Sequence, residues 1–194
     1  MAQPFTPQQL CEIRERLIDS ARRHALTTGA KKTSLDALTA DAGISKSSFY
    51  RFFESKELLF LEVADRWEEE IIGMALSTLD GDPARSDRQR AADMIMTAFR
   101  AVHEMGVAHF LIEDLPQLLD KLPDARSGER YCSSSERIFT ILKRAQIRFT
   151  VPDETVLAII RMLYLSVLHI GQIGTDYFPA LHALVEGAFI RLVA

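Results

Sequence analysis

Side chains suited to binding chemistry concentrate in one short run, Ser45-Lys46-Ser47-Ser48, with Tyr50 and Arg51 immediately after it. Hydroxyls, an ammonium, a phenol and a guanidinium together supply hydrogen-bond donors and positive charge. That combination suits contacts to base edges and phosphates of double-stranded DNA. Bond-making chemistry has no comparable set. The histidines His24, His103, His109, His169 and His182 are scattered, and no pair has the i, i+4 spacing that puts two ring nitrogens on one helical face. Ser133-Ser134-Ser135 lacks the surroundings of a nucleophile elbow and reads as a solvated helical stretch. Cys11 and Cys132 lie far apart with no histidine at metal spacing, so they read as reduced thiols rather than a disulfide or zinc site. Glu113 and Asp114 precede a proline, but neighbours on a helix do not face one another, and both are expected on the surface. The expectation is no catalytic residue, no metal and no cofactor.

The elements that must position the binding run are marked by their caps. Thr6-Pro7-Gln8-Gln9 opens a helix expected over 7–28, with Ile13, Leu17, Ala21 and Ala25 as its apolar stripe and Gly29 as its stop. Thr33-Ser34-Leu35-Asp36 reads as a second capping box, starting a short helix whose inward face is Leu35, Leu38 and Ala42 and which Gly43 ends. Ser45 then caps a helix over Lys46 to Phe53, and Ser55 caps a long one over about 55–79 on which Leu59, Val63, Trp67 and Ile71 recur every four residues. A short helix, a glycine turn and a second short helix with a polar start make a helix-turn-helix. Phe49, Phe52 and Phe53 fill its inward positions, which leaves Tyr50 to face outward.

Beyond this head, Leu79-Asp80-Gly81-Asp82-Pro83 reads as a loop, and Ser86 with Gln89 as a capping box for a helix carrying Met94, Ile95, Ala98, Phe99 and Val102 to a stop at Gly106. The following helix should kink or end near Leu115, because Pro116 lacks the N–H a helix interior needs. Pro123-Asp124 permits a new start, and Ile138, Ile141, Leu142 and Ala145 form an apolar face up to about Arg148. Pro152-Asp153-Glu154 opens the apolar run LAIIRMLYLSVLHI, which ends at Gly171 and Gly174, and a last helix runs from about Pro179 to Val193. With no alternating pattern, hairpin dipeptide or repeat, the chain reads as all-α with about nine helices.

The last two helices are apolar on more than one face and need burial on several sides, which a homodimeric bundle supplies. Leu181, Leu184, Val185 and Phe189 would otherwise leave an exposed patch. Methionine and phenylalanine over 94–110, with Met162 and Tyr164, suit the wall of a small-molecule effector cavity expected near Phe99, His103, Phe110, Met162 and His169.

Composition agrees with two functional parts. A net charge of −4 conceals an asymmetry: residues 1–56 hold nine Lys or Arg against six Asp or Glu, the remainder fourteen against twenty-one. A basic head on an acidic body suits a nucleic-acid module joined to another domain. The division expected is a DNA-binding domain over 1–56, the fourth helix connecting, and an effector-binding and dimerisation domain over 57–194. With 47% hydrophobic and 26% charged residues the chain is globular in type. No apolar run approaches the ~18 residues needed to span a bilayer, and the N-terminal residues lack a signal-peptide pattern, so no membrane association and a cytoplasmic location are expected.

Ala42-Gly43-Ile44-Ser45-Lys46-Ser47-Ser48-Phe49-Tyr50-Arg51-Phe52-Phe53-Glu54-Ser55-Lys56-Glu57-Leu58 resembles the TetR family of repressors, whose DNA-binding domain commonly runs Ala-Gly-Val-Ser-Lys-Gly-Thr-Leu-Tyr-x-x-Phe-x-x-Lys. With the first-helix pattern LIDSARRHALTTGAKKTSL, the resemblance covers about residues 13–64. Ser47 departs from a usual glycine and Ala25 from a usual phenylalanine. The resemblance implies that Lys46, Ser47, Ser48 and Tyr50 face the major groove, with Ser45 at the helix start and Arg51 at the groove edge, and that Thr33 and Lys56 meet phosphates. It also implies a homodimer released from its operator when an effector shifts the two recognition helices away from a spacing of ~34 Å, one DNA turn. Activation in place of repression stays open, as does a phosphate contact from the Tyr50 hydroxyl. A helical-bundle enzyme or carrier and an architectural DNA binder without an effector are the rival readings.

Overall fold

The computed structural model of the 194-residue chain describes residues 5–78, 85–122 and 134–194. In chain order the helices are α1 (Pro7–Thr27), α2 (Leu35–Ala42), α3 (Lys46–Phe49), α4 (Lys56–Ser77), α5 (Asp87–Glu104), a π-helix (Phe110–Asp114), α6 (Leu115–Leu119), α7 (Ser134–Arg144), α8 (Asp153–Ser166), α9 (Ile170–Ile173) and α10 (Tyr177–Leu192). Short 3₁₀ turns, Val167–His169 and Gly174–Asp176, flank α9. Among the described residues there is no strand, only an isolated antiparallel bridge between Phe149 and Val193. Two compact units divide the chain: Met1–Trp67 with His109–Gly128, and Glu68–Ala108 with Glu129–Ala194. The first unit is therefore discontinuous in sequence.

In the first unit the caps act as their residue types dictate. The Thr6 hydroxyl accepts the Gln9 N–H while the Gln9 side chain accepts the Thr6 N–H, and α1 stops where Gly29 takes a φ of 83°. Ile13, Leu17, Ala21 and Ala25 are all buried, as their spacing predicts. The second cap differs from expectation: Ser34, not Thr33, occupies the N-cap and accepts the Ala37 N–H. Thr33 instead turns its hydroxyl back to donate to the Gly29 carbonyl at 2.8 Å. A threonine beside a loop carbonyl satisfies itself locally, which frees the next serine to cap.

α1 and α4 are joined by charge. The Arg66 guanidinium forks onto both carboxylate oxygens of Glu15, at 2.6 and 2.8 Å, and reaches Glu62 at 3.3 Å, while Arg14 also bonds Glu62. The Arg66 hydrogen bond holds the Glu15 carboxyl below its usual range, and for Glu62 the two arginines outweigh the upward push of burial. Leu59, Val63, Trp67 and Ile71 along α4 are buried, as expected. The change from π-helix to α6 falls at Leu115, whose N–H bonds the Phe110 carbonyl, so Pro116 sits in a first turn where no intrahelical N–H is required.

The second unit is built largely on α5 and α10, which lie against each other. α5 begins at a Ser86–Gln89 capping box and ends before Gly106, at φ 68°. α7 stops at Arg144, short of the expected Arg148, because Gln146 adopts a left-handed φ of 61° and Ile147 donates back to Leu142. Ser135 is buried rather than solvated. Contrary to the expectation from run length, the helical stretch Asp153–Leu192 contains an 18-residue window apolar enough, by length and composition alone, to cross a membrane. The expected loop over Leu79–Pro83, the start at Pro123-Asp124, and Cys132 lie outside the described residues.

Candidate nucleic-acid interface

Gly43 sets the geometry of the turn. At φ 68° it lets its own N–H bond Ala40 O at 3.1 Å and the Ile44 N–H bond Thr39 O at 3.0 Å, closing α2 in left-handed fashion. Ser45 then caps α3: its hydroxyl accepts the Ser48 N–H at 3.2 Å and lies 2.9 Å from the hydroxyls of both Ser47 and Ser48. α3 is only four residues long, ending at Phe49 instead of Phe53. After Phe49 the chain continues in turns, with Arg51 and Phe52 bonded three residues back.

What anchors so short a helix is Phe49, fully buried and in ring contact with Phe53 at 5.9 Å and edge-on with Tyr50 at 5.6 Å. Phe52 is only half-buried, so it is a weaker anchor than expected. Tyr50 is 59% exposed and presents its phenol to solvent, not to the core. Ser45, Lys46, Ser47 and Arg51 are exposed beside it, and Ser48 is half-buried. The Arg51 guanidinium lies over the Phe5 ring at 5.3 Å. Lys46 pairs with Asp36 of α2 at 2.7 Å, an exposed ion pair that a phosphate or base can displace at small cost.

Thr33 and Lys56 occupy less open positions. Thr33 is 3% exposed, with its hydroxyl already bonded. Lys56 donates to Thr33 O at 2.7 Å and Ala30 O at 3.2 Å, and partial burial, helped by the charge of Lys121, lowers its pKa. Two of its N–H groups therefore tie down the α1–α2 loop, leaving one for any phosphate. The open cations of that loop are Lys31 and Lys32, both exposed just ahead of α2. Their adjacency between Gly29 and Thr33 was a legible signal of a basic loop.

Residues 17–63 match the model of the family described as bacterial regulatory proteins, tetR family. That segment is similar to the DNA-binding part of tetR-family regulators. Curated relatives include the transcriptional repressor KstR2 of Mycolicibacterium smegmatis, 28% identical over 120 residues, which cover 62% of this chain and 58% of that protein. The regulator EthR of Mycobacterium tuberculosis is 45% identical over 56 residues, covering 29% of this chain and 26% of EthR. The matches thus span little more than half, or about a quarter, of those relatives' own lengths. A solved tetR-family regulator from Shewanella sp. PV-4 has the same fold, with a TM-score of 0.67 at 14% identity, covering 94% of this chain and 98% of that one.

Of the five residues expected to line an effector cavity, Phe110 lies in the first unit and Phe99, His103, Met162 and His169 in the second. Phe110 is buried against Phe60 and Trp67. Met162 is 71% exposed, and His103 and His169 are exposed as well, His103 in tilted ring contact with Phe178 and His169 bonded to Gln172. Only Phe99 is an interior residue of the second unit, near Tyr164. Helical spacing predicts which residues share a face but not which face meets the interior. A cavity of about 490 Å³ lies instead beside the start of α5 and along α10, walled by Arg88, Gln89, Asp93, His182, Glu186 and Phe189.

Asp114, expected on the surface, is a further residue that sequence reasoning misplaced. Its carboxylate accepts the Ala30 N–H at 3.1 Å. Eighty-four positions separate the partners, so no local pattern could have found the contact.

Proposed function

We propose that this chain is a sequence-specific DNA-binding transcriptional regulator, a repressor released from its operator by a small-molecule effector. The observation carrying the proposal is α3: a helix-turn-helix second helix whose apolar residue is sunk in the core while Lys46, Ser47, Tyr50 and Arg51 stand exposed on one short segment. In this reading Ser45, Lys46, Ser47, Ser48 and Tyr50 enter the major groove, Arg51 meets its edge, and the α2 start with Thr33 and Lys56 lies along the phosphates. Residues 1–56 form the reading head, and 57–194 carry the effector and dimer functions.

The working species is a homodimer in the cytoplasm. Ala158, Met162 and Leu165 line one exposed face of α8, and Ala183, Leu184, Gly187 and Ile190 an exposed face of α10. Apolar faces of that extent favour a partner of the same kind. Leu181, Val185 and Phe189 do not belong to this surface, since each is buried within the chain.

The test is selection of duplexes from a random-sequence pool by the full chain, then affinity measurement against selected and scrambled duplexes. A preference of at least ~10³-fold is expected of a specific regulator. Equal affinity for both would remove the sequence-specific reading. A compound library scored by thermal shift and then by release of the selected duplex tests the effector.

A further inference from the structure

We infer that Asp114, on the π-helix, is a positioning residue for DNA binding: it fixes the lysine-bearing loop between α1 and α2. The inference rests on the DNA-binding reading and deepens it. Ala30 is fully buried in a loop where no regular ladder satisfies its backbone. Two charged side chains from distant positions do so instead, Asp114 accepting its N–H at 3.1 Å and Lys56 donating to its carbonyl at 3.2 Å. Lys31 and Lys32 follow directly, exposed and in no ion pair with any described residue. Their backbone is held at one end by the Ala30 clamp and at the other by Thr33, whose N–H and hydroxyl both donate to Gly29 O.

The clamp is rigidly supported. Phe110, at the start of the same π-helix, is buried with its ring 5.3 Å from Trp67 and 6.1 Å from Phe60. The side chain of Asp114 is only 13% exposed. The wide turn of a π-helix re-aims the residues that follow its start, here delivering the carboxylate to the Gly29–Ala30 backbone. Gly29 at φ 83° leaves that approach open, since even a Cβ there would lie 3.5 Å from the Asp114 oxygen. A loop so fixed presents two ammonium groups at a set distance from α2 and α3; a loose loop would present them over a range of positions and lose part of their attraction to phosphates.

The experiment uses the full chain and a duplex that the wild-type protein selects from a random pool, with a scrambled duplex beside it. Asp114→Ala should speed hydrogen exchange at the Ala30 amide by roughly tenfold and weaken both duplexes about three- to tenfold without changing their ratio. The salt dependence should become shallower, by up to about two in slope for two lysines. Asp114→Asn keeps an acceptor oxygen and should bind within about twofold of wild type. Leu119→Ala, a buried neighbour on α6, should lower the melting temperature with no change in slope, which separates positioning from mere stability. If Asp114→Ala fails to fold, Asp114→Ser, too short to reach Ala30, takes its place. Unchanged affinity and slope despite faster Ala30 exchange would overturn the inference while leaving DNA binding intact; if the wild-type chain selects no duplex, both fall together.

Discussion

Ser45 is the position where folding and recognition can be separated most cleanly. Its hydroxyl is the only side-chain cap on α3, accepting the Ser48 N–H at 3.2 Å and touching the Ser47 and Ser48 hydroxyls at 2.9 Å. Ser45→Ala removes the cap, at a cost of about 1 kcal/mol. For a chain of this length that is a fall of roughly 2–4 °C in melting temperature. Because the opening falls on a four-residue helix, the same free energy appears as about a fivefold loss of affinity for a selected duplex. Ser45→Asp distinguishes the two effects. Aspartate caps as well as serine and favours the positive end of a helix, so the melting temperature should stay at or above wild type. Its carboxylate, though, would stand among the phosphates, and binding should fall by about tenfold or more, most severely at low salt where screening is weakest. Differential scanning fluorimetry and fluorescence anisotropy at two salt concentrations read both quantities. An aspartate variant that binds like wild type would refute the placement of α3 against DNA. An alanine variant unchanged in both measurements would refute the cap.

Gly43→Ala meets nothing closer than 3.8 Å, so its cost is backbone alone, about 1–2 kcal/mol for a left-handed alanine; Gly43→Asn should recover most of the lost melting temperature. Leu184→Glu, at a residue 64% exposed, should leave the fold intact and convert a dimer into a 21.9 kDa monomer by sedimentation at micromolar concentration. Sedimentation as a dimer would place the interface elsewhere. The carboxyls of Glu15, held down chiefly by the Arg66 hydrogen bond, and of Asp41, held down chiefly by the Ser20 hydroxyl, have folded pKa values below their ordinary 4.5 and 3.8. Folded values below unfolded ones mean stability present above pH 4.5 and lost as the pH falls through the folded values. Denaturant titrations from pH 7 to pH 3 should show that loss, and Arg66→Gln should flatten it; an equally steep acid limb in that variant would assign it to other groups.

The starts at Thr6 and Ser86, the glycine stops and the outward phenol of Tyr50 were legible in the sequence because each depends on residues within four positions of one another. Thr6 with Gln9, Ser86 with Gln89, Gly29, Gly43 and Gly106 are instructions of that kind. The all-α class followed from them. Failures began wherever a group had two possible partners or a distant one. Thr33 had the spacing of a cap and found a nearer carbonyl at Gly29, leaving the cap to Ser34. Lys56 had the look of a phosphate ligand and is committed in part to Ala30 and Thr33.

Tertiary structure alone decided which apolar faces turn inward. The same spacing that made Leu181, Leu184, Val185 and Phe189 one set separates into three buried residues and one exposed leucine once α5 covers part of α10. Phe110 and Phe99, read together from composition, lie in different units. Asp114 passed from expected surface residue to clamp on Ala30 because the chain returns to the first unit after α5. Local sequence determines where a helix begins, ends and carries its apolar stripe, since those interactions close within a turn. What the stripe meets depends on loop paths and on competition among many faces of similar hydrophobicity, and burial is non-directional.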